Sequence, residues 1–576
     1  MGEVKKIPYR ISDFILMRTD NFYYVDKTMY IPQLEEQANY IFFIRPRRFG
    51  KSLWLNMLTA YYDIAGKGRF GELFGDLWIG KKPTKEQGLY QILTLDFSQV
   101  GGKSDTLEEN FNGYASICLD AFIRKYSHAY SPDVINDFLG TNKVGDKLTI
   151  LNLAAKSSGI KLFLIIDEYD NFTNTVLNEE GETVYHAITH ASGFYRDIFK
   201  KFKGMFDKII MTGVSPVTLD DVTSGFNIGW NISTKKQFNQ MLGFSEEEVL
   251  QMINYYKENG KIPADVSPKA IVEDMKPWYD NYCFSEKALE SQSHVFNSDM
   301  VLYYLSNYVD DNCPPRNMVD PNTRTDYGKL RNLLLLDKLD GDRRGVISEI
   351  AEKGEILANV EDSFSAKMLV KPNIFTSLLF YYGMLTFKAL QRGGQTILGI
   401  PNNNVRKQYY DYLIEQFEEI ATVDVNRLRL VFANMAMDGN WRDCIDYLSD
   451  AYTKVSSTRD GIQSERNIQG FFMAYLGQCD YYILAPELEL NHGYCDFFLL
   501  PNSNSYHAEH SYIIELKFLT PKDWKGKADS QWKEAVEQIN GYAKAPRVEV
   551  LRQGTTLHKV ILQFKGAKLM RKEEVL

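Results

Sequence analysis

The stretch that most constrains this chain is residues 40–62. Five apolar and aromatic residues, YIFFI (40–44), run into Arg-Pro-Arg-Arg-Phe-Gly-Lys-Ser (45–52). Apolar residues then recur at helical spacing through LWLNMLTAYYDIA. That order reads as strand, tight loop and helix. YQILTLDF (90–97), KLFLIID (161–167) and KIIMT (208–212) read as further strands, the second buried on both faces. Helical segments lie between them, so an α/β domain with a mainly parallel sheet is expected over 1–235.

Beyond it the pattern turns helical. SEEEVLQMINYYKENG reads as a helix capped by Ser245 and followed by Gly260. Residues 310–325, rich in Asp, Asn and Pro, read as a loop. The expected organisation is a helical lid or winged-helix-like middle region over 236–420 and a helical connector over 421–460. A C-terminal α/β domain follows over 461–576. No short repeat interrupts this. At 576 residues, 44% hydrophobic and 24% charged, the chain can bury large cores without disulfides. Six scattered cysteines without a CxxC pair fit neither a zinc ribbon nor a disulfide framework, and suit a reducing cytoplasm. No run is apolar enough for a membrane span, and no apolar signal core opens the sequence. A net charge of −9 leaves nucleic-acid binding to a local basic surface.

In 45–52, Gly50, Lys51 and Ser52 fit the end of the phosphate-binding loop GxxxxGK[ST], with Arg45 where the first Gly belongs. Gly50 lets backbone amides curl toward phosphate. Lys51 neutralises β and γ charge, and Ser52 offers a hydroxyl to Mg²⁺. Arg48, Phe49 and Leu53 complete the cradle. In LFLIIDEYD, four apolar residues lead to Asp167, which can hold Mg²⁺, and Glu168, which can polarise the attacking water. Thr212 sits like a sensor at a neighbouring strand tip. The bland alternative for GKS is a tight turn, and for DE a strand end. Together they point to ATP and magnesium. Arg47 and Arg48 suit either phosphate or acidic partners in the loop.

Five blocks then resemble, in order, the predicted AAA-ATPase-like family of bacterial proteins, related to the STAND-type P-loop ATPases. They are YYVDKT (23–28), FFIRPRRFGKSL (42–53), IIDEYD (165–170), MTGVSP (211–216) and SGFN (224–227). The Arg in place of the first Gly is typical of that family. WYDNYCF (278–284) and VFNSDM (295–300) resemble its continuation, with Asn281 replacing a Gly and Ser298 a Pro.

A second constellation lies near the C-terminus. In YIIELKF (512–518), alternation puts Glu515 and Lys517 on one strand face and Ile514, Leu516 and Phe518 on the other. Asp496 opens an earlier strand, DFFLL, and a hairpin with its loop at NSNS brings Asp496 toward Glu515. Two carboxylates bind Mg²⁺ or Mn²⁺, and the lysine can position or deprotonate a water for attack on a phosphodiester. The bland alternative is a cross-strand salt bridge. This D…ExK pattern resembles the PD-(D/E)XK nuclease superfamily. The resemblance implies a restriction-endonuclease-like α/β fold, a further metal ligand at Glu489 and a Gln538/Tyr542 pair on the helix behind the site. It also implies a leading helix over 463–478 carrying Glu465, and a closing strand, KVILQF. The family's Gly-Arg before the Asp is Tyr494-Cys495 here.

Lys517, Lys522, Lys525, Lys527, Lys533, Lys544, Arg547 and Arg552, with Trp524 and Trp532 interleaved, suit either a phosphate-gripping surface or a solvated face. His186 and His190 lack the Glu of HExxH and read as polar helix positions. The leading expectation is a cytoplasmic ATPase fused to a metal-dependent nuclease acting on nucleic acid, DNA more than RNA. Nucleotide state would govern access to the cutting site. Self-association is left open. The competing expectations are a nucleotide-gated switch whose nuclease-like domain binds without cutting, and a P-loop that binds ATP but scarcely turns it over.

Overall fold

The computed structural model describes residues 3–171, 193–217, 229–321, 343–365, 368, 371–391, 395–418, 423–456, 464–491, 493–502 and 506–576. His186, His190 and the SGFN block fall outside them. The chain divides into two compact units. One comprises 1–313, 319–343 and 357–401, and the other 314–318, 344–356 and 402–576. The region after 235 thus clusters with the N-terminal sheet as far as 401, and the helices after 402 with the C-terminal one. The four-part division read from sequence drew its boundaries elsewhere.

In the first unit, β1 (Tyr40–Ile44), β2 (Gln91–Asp96), β3 (Leu162–Asp167), β4 (Lys208–Gly213) and β5 (Trp230–Asn231) form one parallel sheet of order β2-β3-β4-β1-β5. The first five residues of β3 are buried, as a strand covered on both faces requires. β4 lies between β1 and β3. This order sets the loop after β1, the acidic end of β3 and the tip of β4 side by side at one sheet edge, where open parallel sheets bind ligands.

The loop geometry rests on its neighbours. Gly50 has φ 90°, a left-handed conformation that glycine adopts without steric cost, and it caps the helix Lys51–Tyr62. Arg45 is buried. Its guanidinium donates to the carbonyls of Ile44 (2.9 Å), Ser233 (2.7 Å) and Phe238 (2.9 Å). It lies 4.4 Å from the ring centre of Phe43 and 4.3 Å from that of Phe284. Burying a cation costs several kcal/mol. Hydrogen bonds from a charged donor return about 1.5–3 kcal/mol each, and a desolvated cation–π contact about 2. The terms nearly cancel, so Arg45 fixes the loop's shape more than it adds stability.

Asn281 takes φ 73°, a region where Gly is favoured and Asn is among the best tolerated. Ser298, which begins the helix Ser298–Asp311, donates its hydroxyl to the Arg48 carbonyl at 3.2 Å. Both departures from the resembled pattern thus keep the loop's support.

Ser245 caps the helix Glu246–Glu258 in a reciprocal box with Glu248, and Gly260 follows at φ 71°. β6 (Glu355–Leu357), β7 (Thr386–Leu390) and β8 (Thr396–Gly399) make a small sheet of order β6-β8-β7. In the second unit, β9 (Tyr482–Leu490), β10 (Gly493–Pro501), β11 (His510–Leu519), β12 (Thr556–Lys565) and β13 (Lys568–Glu574) form a sheet of order β13-β12-β11-β10-β9. Only β11 and β12 are parallel; the other pairs are antiparallel. The helix Trp524–Ala543 packs Trp532, Ala535, Ile539 and Tyr542 onto it, against Cys495, Phe498 and Ile513.

Truncating Arg45 to Ala removes the donors for three carbonyls. The Phe238 carbonyl keeps the Met241 amide at 3.3 Å, while Arg45 is the side-chain donor to the other two, so stability should fall by about 2–4 kcal/mol. The first transition in urea-induced unfolding of the full chain reads this; an unchanged midpoint would contradict the role given to Arg45.

Candidate functional site: a phosphate loop and a paired-carboxylate notch

At the first site Asp167 is the hub. Its Oδ2 accepts from the Ser52 hydroxyl and its Oδ1 from the Thr212 hydroxyl, each at 2.6 Å. The P-loop helix, β3 and β4 are thereby joined through one carboxylate. Lys51 is buried, and its ammonium donates to the carbonyls of Arg45 and Pro46, both at 3.0 Å. Burial lowers its pKa, while Glu168, Asp167 and Asp170 favour its charge. Glu168 stands at φ 52°, a left-handed turn at the strand end that costs a non-glycine residue about 1–3 kcal/mol. Burial raises its pKa, and Lys51 opposes the rise. A carboxylate so shifted is a better proton acceptor near neutrality. Asp170, which the sequence reading quoted but gave no role, is 0% exposed and accepts from the amides of Val214 and Ser215 at 3.2 and 2.7 Å. It holds the loop after β4.

Arg48 is drawn away by acid. Its guanidinium meets Asp299 at 2.8 Å and Asp320 at 3.5 Å. Phe49 is buried edge-on against Tyr282 and Phe284. A cavity of about 270 Å³ opens over Gly50, Lys51, Ser52, Leu53 and Glu168. The same lining includes the apolar and aromatic Tyr23, Tyr24, Met241, Met252 and Leu302 beside charged groups such as Arg10, Lys27 and Asp299. Ligand pockets combine apolar lining with a few placed polar groups. The lining comes from segments far apart in sequence, and only the YYVDKT block hinted at it.

The second site is a notch where β10 and β11 part. The register Phe497–Ile514 and Phe498–Ile513 brings Asp496 opposite Glu515 one step further on. There the Asp496 side chain replaces the strand's own carbonyl: its Oδ2 accepts the Leu516 amide at 2.6 Å. Its Oδ1 accepts from Gln469 of the helix Glu465–Leu476 at 2.7 Å. Glu515 is 2% exposed. One of its oxygens takes the Lys517 ammonium at 2.8 Å, and the other, buried, has no hydrogen-bond partner. A buried carboxylate oxygen without a donor is costly unless a cation meets it. Burial, then Glu515, pushes the Asp496 pKa well above the carboxylate range. Burial also raises Glu515, against Lys517. Burial works against the Lys517 charge, but Glu515 and Asp496 outweigh it and raise its pKa. Lys517 is thus held beside Glu515, where it can position a group.

Glu487 and Glu489 are both exposed, and Glu489 pairs across the ladder with Tyr494. The ladder sets Glu487, at φ 49°, between Leu488 and Pro486 and so opposite Asp496. Burial raises the Glu487 pKa, with Glu352, Glu515 and Glu465 adding to the rise. Gln538 is exposed, one turn before Tyr542. The Tyr542 hydroxyl feels Glu515 and Asp496. Gln531 is the glutamine of that helix that touches the strands, donating to the Phe518 carbonyl at 3.1 Å. Trp532 is core, with Arg571 stacked 3.9 Å from its ring centre, and does not lie on a basic face. Gln469 was missed in the sequence reading. Its spacing of four from Glu465 puts both on one helix face, which was the available signal. Among the described residues no group of three or more His, Cys, Asp or Glu side chains is set to enclose a metal ion.

Fold and sites together define a chain with two α/β machines, one for a nucleoside triphosphate and one of paired-carboxylate type. Comparison with known families agrees. Residues 8–223 match the family described as "Predicted AAA-ATPase", and residues 463–574 match the PD-(D/E)XK nuclease superfamily. An "Uncharacterized protein in vnfD 5'region" of Azotobacter chroococcum mcd 1 is 24% identical over 296 residues. The match covers 50% of this chain and spans half the length of that relative. A solved structure, the Aeropyrum pernix ORC1 protein in complex with DNA, is 9% identical. It covers 71% of this chain and 94% of its own, at a TM-score of 0.23, too low to inform on this chain's ligands. Among the described residues no helix is long and apolar enough to cross a membrane.

Gln469→Ala takes the donor from the buried Asp496 Oδ1. The second unit should lose about 1–3 kcal/mol, and Mn²⁺ should restore more stability to the variant than to the parent. Thermal melts with and without Mn²⁺ measure both; equal Mn²⁺ shifts would contradict the role given to Gln469.

Proposed function

We propose that this protein binds and hydrolyses ATP at the P-loop and cleaves phosphodiester bonds of nucleic acid at the β10–β11 notch. The observation that carries the reading is the hub carboxylate of Asp167, shared between Ser52 and Thr212 beside a buried Lys51. The notch repeats that logic, with a second, buried oxygen of Glu515 that has no hydrogen-bond partner among the described residues, within a carboxylate pair. Both donor sets suit a hard divalent cation. The Ser52 hydroxyl and Asp167 would hold Mg²⁺ beside the triphosphate, and Asp496 and Glu515 would hold Mg²⁺ or Mn²⁺ beside the scissile phosphate. Such a cation neutralises developing charge and lowers the pKa of bound water.

The chain's own groups do the rest. The loop amides and Lys51 neutralise the β and γ oxygens once Lys51 leaves the carbonyls of Arg45 and Pro46. Glu168 takes a proton from the attacking water. At the notch, Lys517 aligns the attacked phosphate or its nucleophile, and Tyr542 stands behind the carboxylates. Glu487 joins the ligand set in place of Glu489. The exposed Lys522, Lys525 and Lys533 would grip the strand's backbone.

The test incubates the full chain with linear, circular and single-stranded substrates in Mg²⁺ or Mn²⁺, with and without ATP. Asp496→Asn, Glu515→Gln and Lys517→Ala should each abolish cleavage; cutting that survives all three would remove the nuclease half. Lys51→Ala should eliminate ATP binding, and Glu168→Gln should bind ATP while losing turnover by about a hundredfold or more. Binding of nucleic acid without any cutting would instead favour a nucleotide-gated binding module.

Glu487→Gln should weaken Mn²⁺ binding by about tenfold, whereas Glu489→Gln should leave it within about twofold, as read by calorimetric titration. The reverse order would restore Glu489 as the ligand.

A further inference from the structure

The loop 45–48 holds three arginines, and they face three environments. Arg45 is sealed behind the loop by three carbonyls and two rings. Arg48, at φ 66°, also lines the cavity over Gly50 and Lys51, but its guanidinium is held on Asp299 and Asp320. Arg47 lines the same cavity as Gly50, Lys51, Ser52 and Glu168. Its charge acts on both Lys51 and Glu168, and it also acts on Tyr382, whose side chain is buried. Across the strand edge stand three acids, Asp167, Glu168 and Asp170, against the cations Lys51 and Arg47.

Phosphoryl transfer from a triphosphate piles charge onto the oxygens of the terminal phosphate. Lys51 and the loop amides answer the β and γ charges, and a planar guanidinium adds paired hydrogen bonds that an ammonium cannot. An arginine supplied at that point accelerates transfer by about a thousandfold or more, whether it comes from the same chain or from a partner.

We propose that Arg47 is that arginine, supplied in cis from within the phosphate loop to the terminal phosphate. The inference rests on the reading of this cavity as a nucleotide site. In the step it serves, the water oxygen bonds to the γ-phosphorus and the bond from that phosphorus to the β–γ bridging oxygen breaks. The electron pair leaves on ADP, and Glu168 receives the water's proton. Arg47 holds the γ oxygens throughout. The hydrolysis site is then complete within one chain, and turnover per chain does not depend on a second copy.

The test compares AMP-PNP with ADP, each with Mg²⁺, by calorimetric titration of the full chain, and follows ATP turnover over a range of protein concentrations. Arg47→Ala should weaken AMP-PNP binding by about tenfold while changing ADP binding by less than about threefold. It should cost kcat at least about a hundredfold with little change in KM, and Arg47→Lys should not restore it. Arg48→Ala should leave the ratio of AMP-PNP to ADP affinity unchanged. An unchanged ratio and rate in Arg47→Ala would overturn the assignment. So would turnover per chain that rises with protein concentration. A parent chain that binds neither nucleotide would overturn the nucleotide reading itself, and this proposal with it.

Discussion

The nucleotide site is organised around the Asp167 carboxylate. One oxygen holds Ser52 at the start of the P-loop helix, and the other holds Thr212 at the tip of β4. The contact is possible because β4 lies between β1 and β3 in the sheet. A carboxylate at the end of one strand thus reaches groups carried by both others. Two short hydrogen bonds to a charged acceptor contribute about 1.5–3 kcal/mol each. More important here, they place a hydroxyl and a carboxylate together, which is the donor pair a magnesium ion uses beside a triphosphate.

The cradle around that pair is held by groups with no ligand role. Arg45 fills the place of a glycine, yet the loop keeps its form because the guanidinium is clamped behind it by carbonyls and rings. Ser298 takes the Arg48 carbonyl from another helix. Asn281 accepts a left-handed backbone where the resembled family has glycine. In each case a replacement that looks damaging on paper is compensated by one specific contact or conformation.

The C-terminal notch is built by a different device. The β10–β11 ladder ends, and the Asp496 side chain takes the next amide in place of a strand carbonyl. This ties the carboxylate to β11, and a second, buried oxygen of Glu515 has no hydrogen-bond partner among the described residues. Burial holds the carboxyls of Glu487, Asp496 and Glu515 above their ordinary pKa values, with neighbouring carboxylates adding to the rise and Lys517 opposing it at Asp496 and Glu515. Such a set gives up protons when a divalent cation arrives, so cation binding there is linked to pH.

Much of this was legible without coordinates. The four long strands of the first sheet lie within a residue of their expected places and β10, β11 and β12 of the second within three, because apolar runs and turn residues are local signals, whereas β5, β9 and β13 were not read from the sequence. The pairing of Glu515 with Lys517 on one face follows from alternation alone, and the Ser245 cap from local side-chain chemistry. What tertiary structure decided was every contact between distant segments. The β9–β10 register sets Glu487, not Glu489, opposite Asp496, and that register is not announced by the local pattern. Trp532 looked like part of a basic surface until its helix turned it into the core. Whether Arg48 met phosphate or acid depended on Asp299 and Asp320, some 250 and more residues away. The sequence by itself determined which chemical groups the chain has and on which local faces they stand, since backbone periodicity is a short-range property. Only the folded chain decided which groups meet, since strand order and long-range burial are set by the packing of the whole.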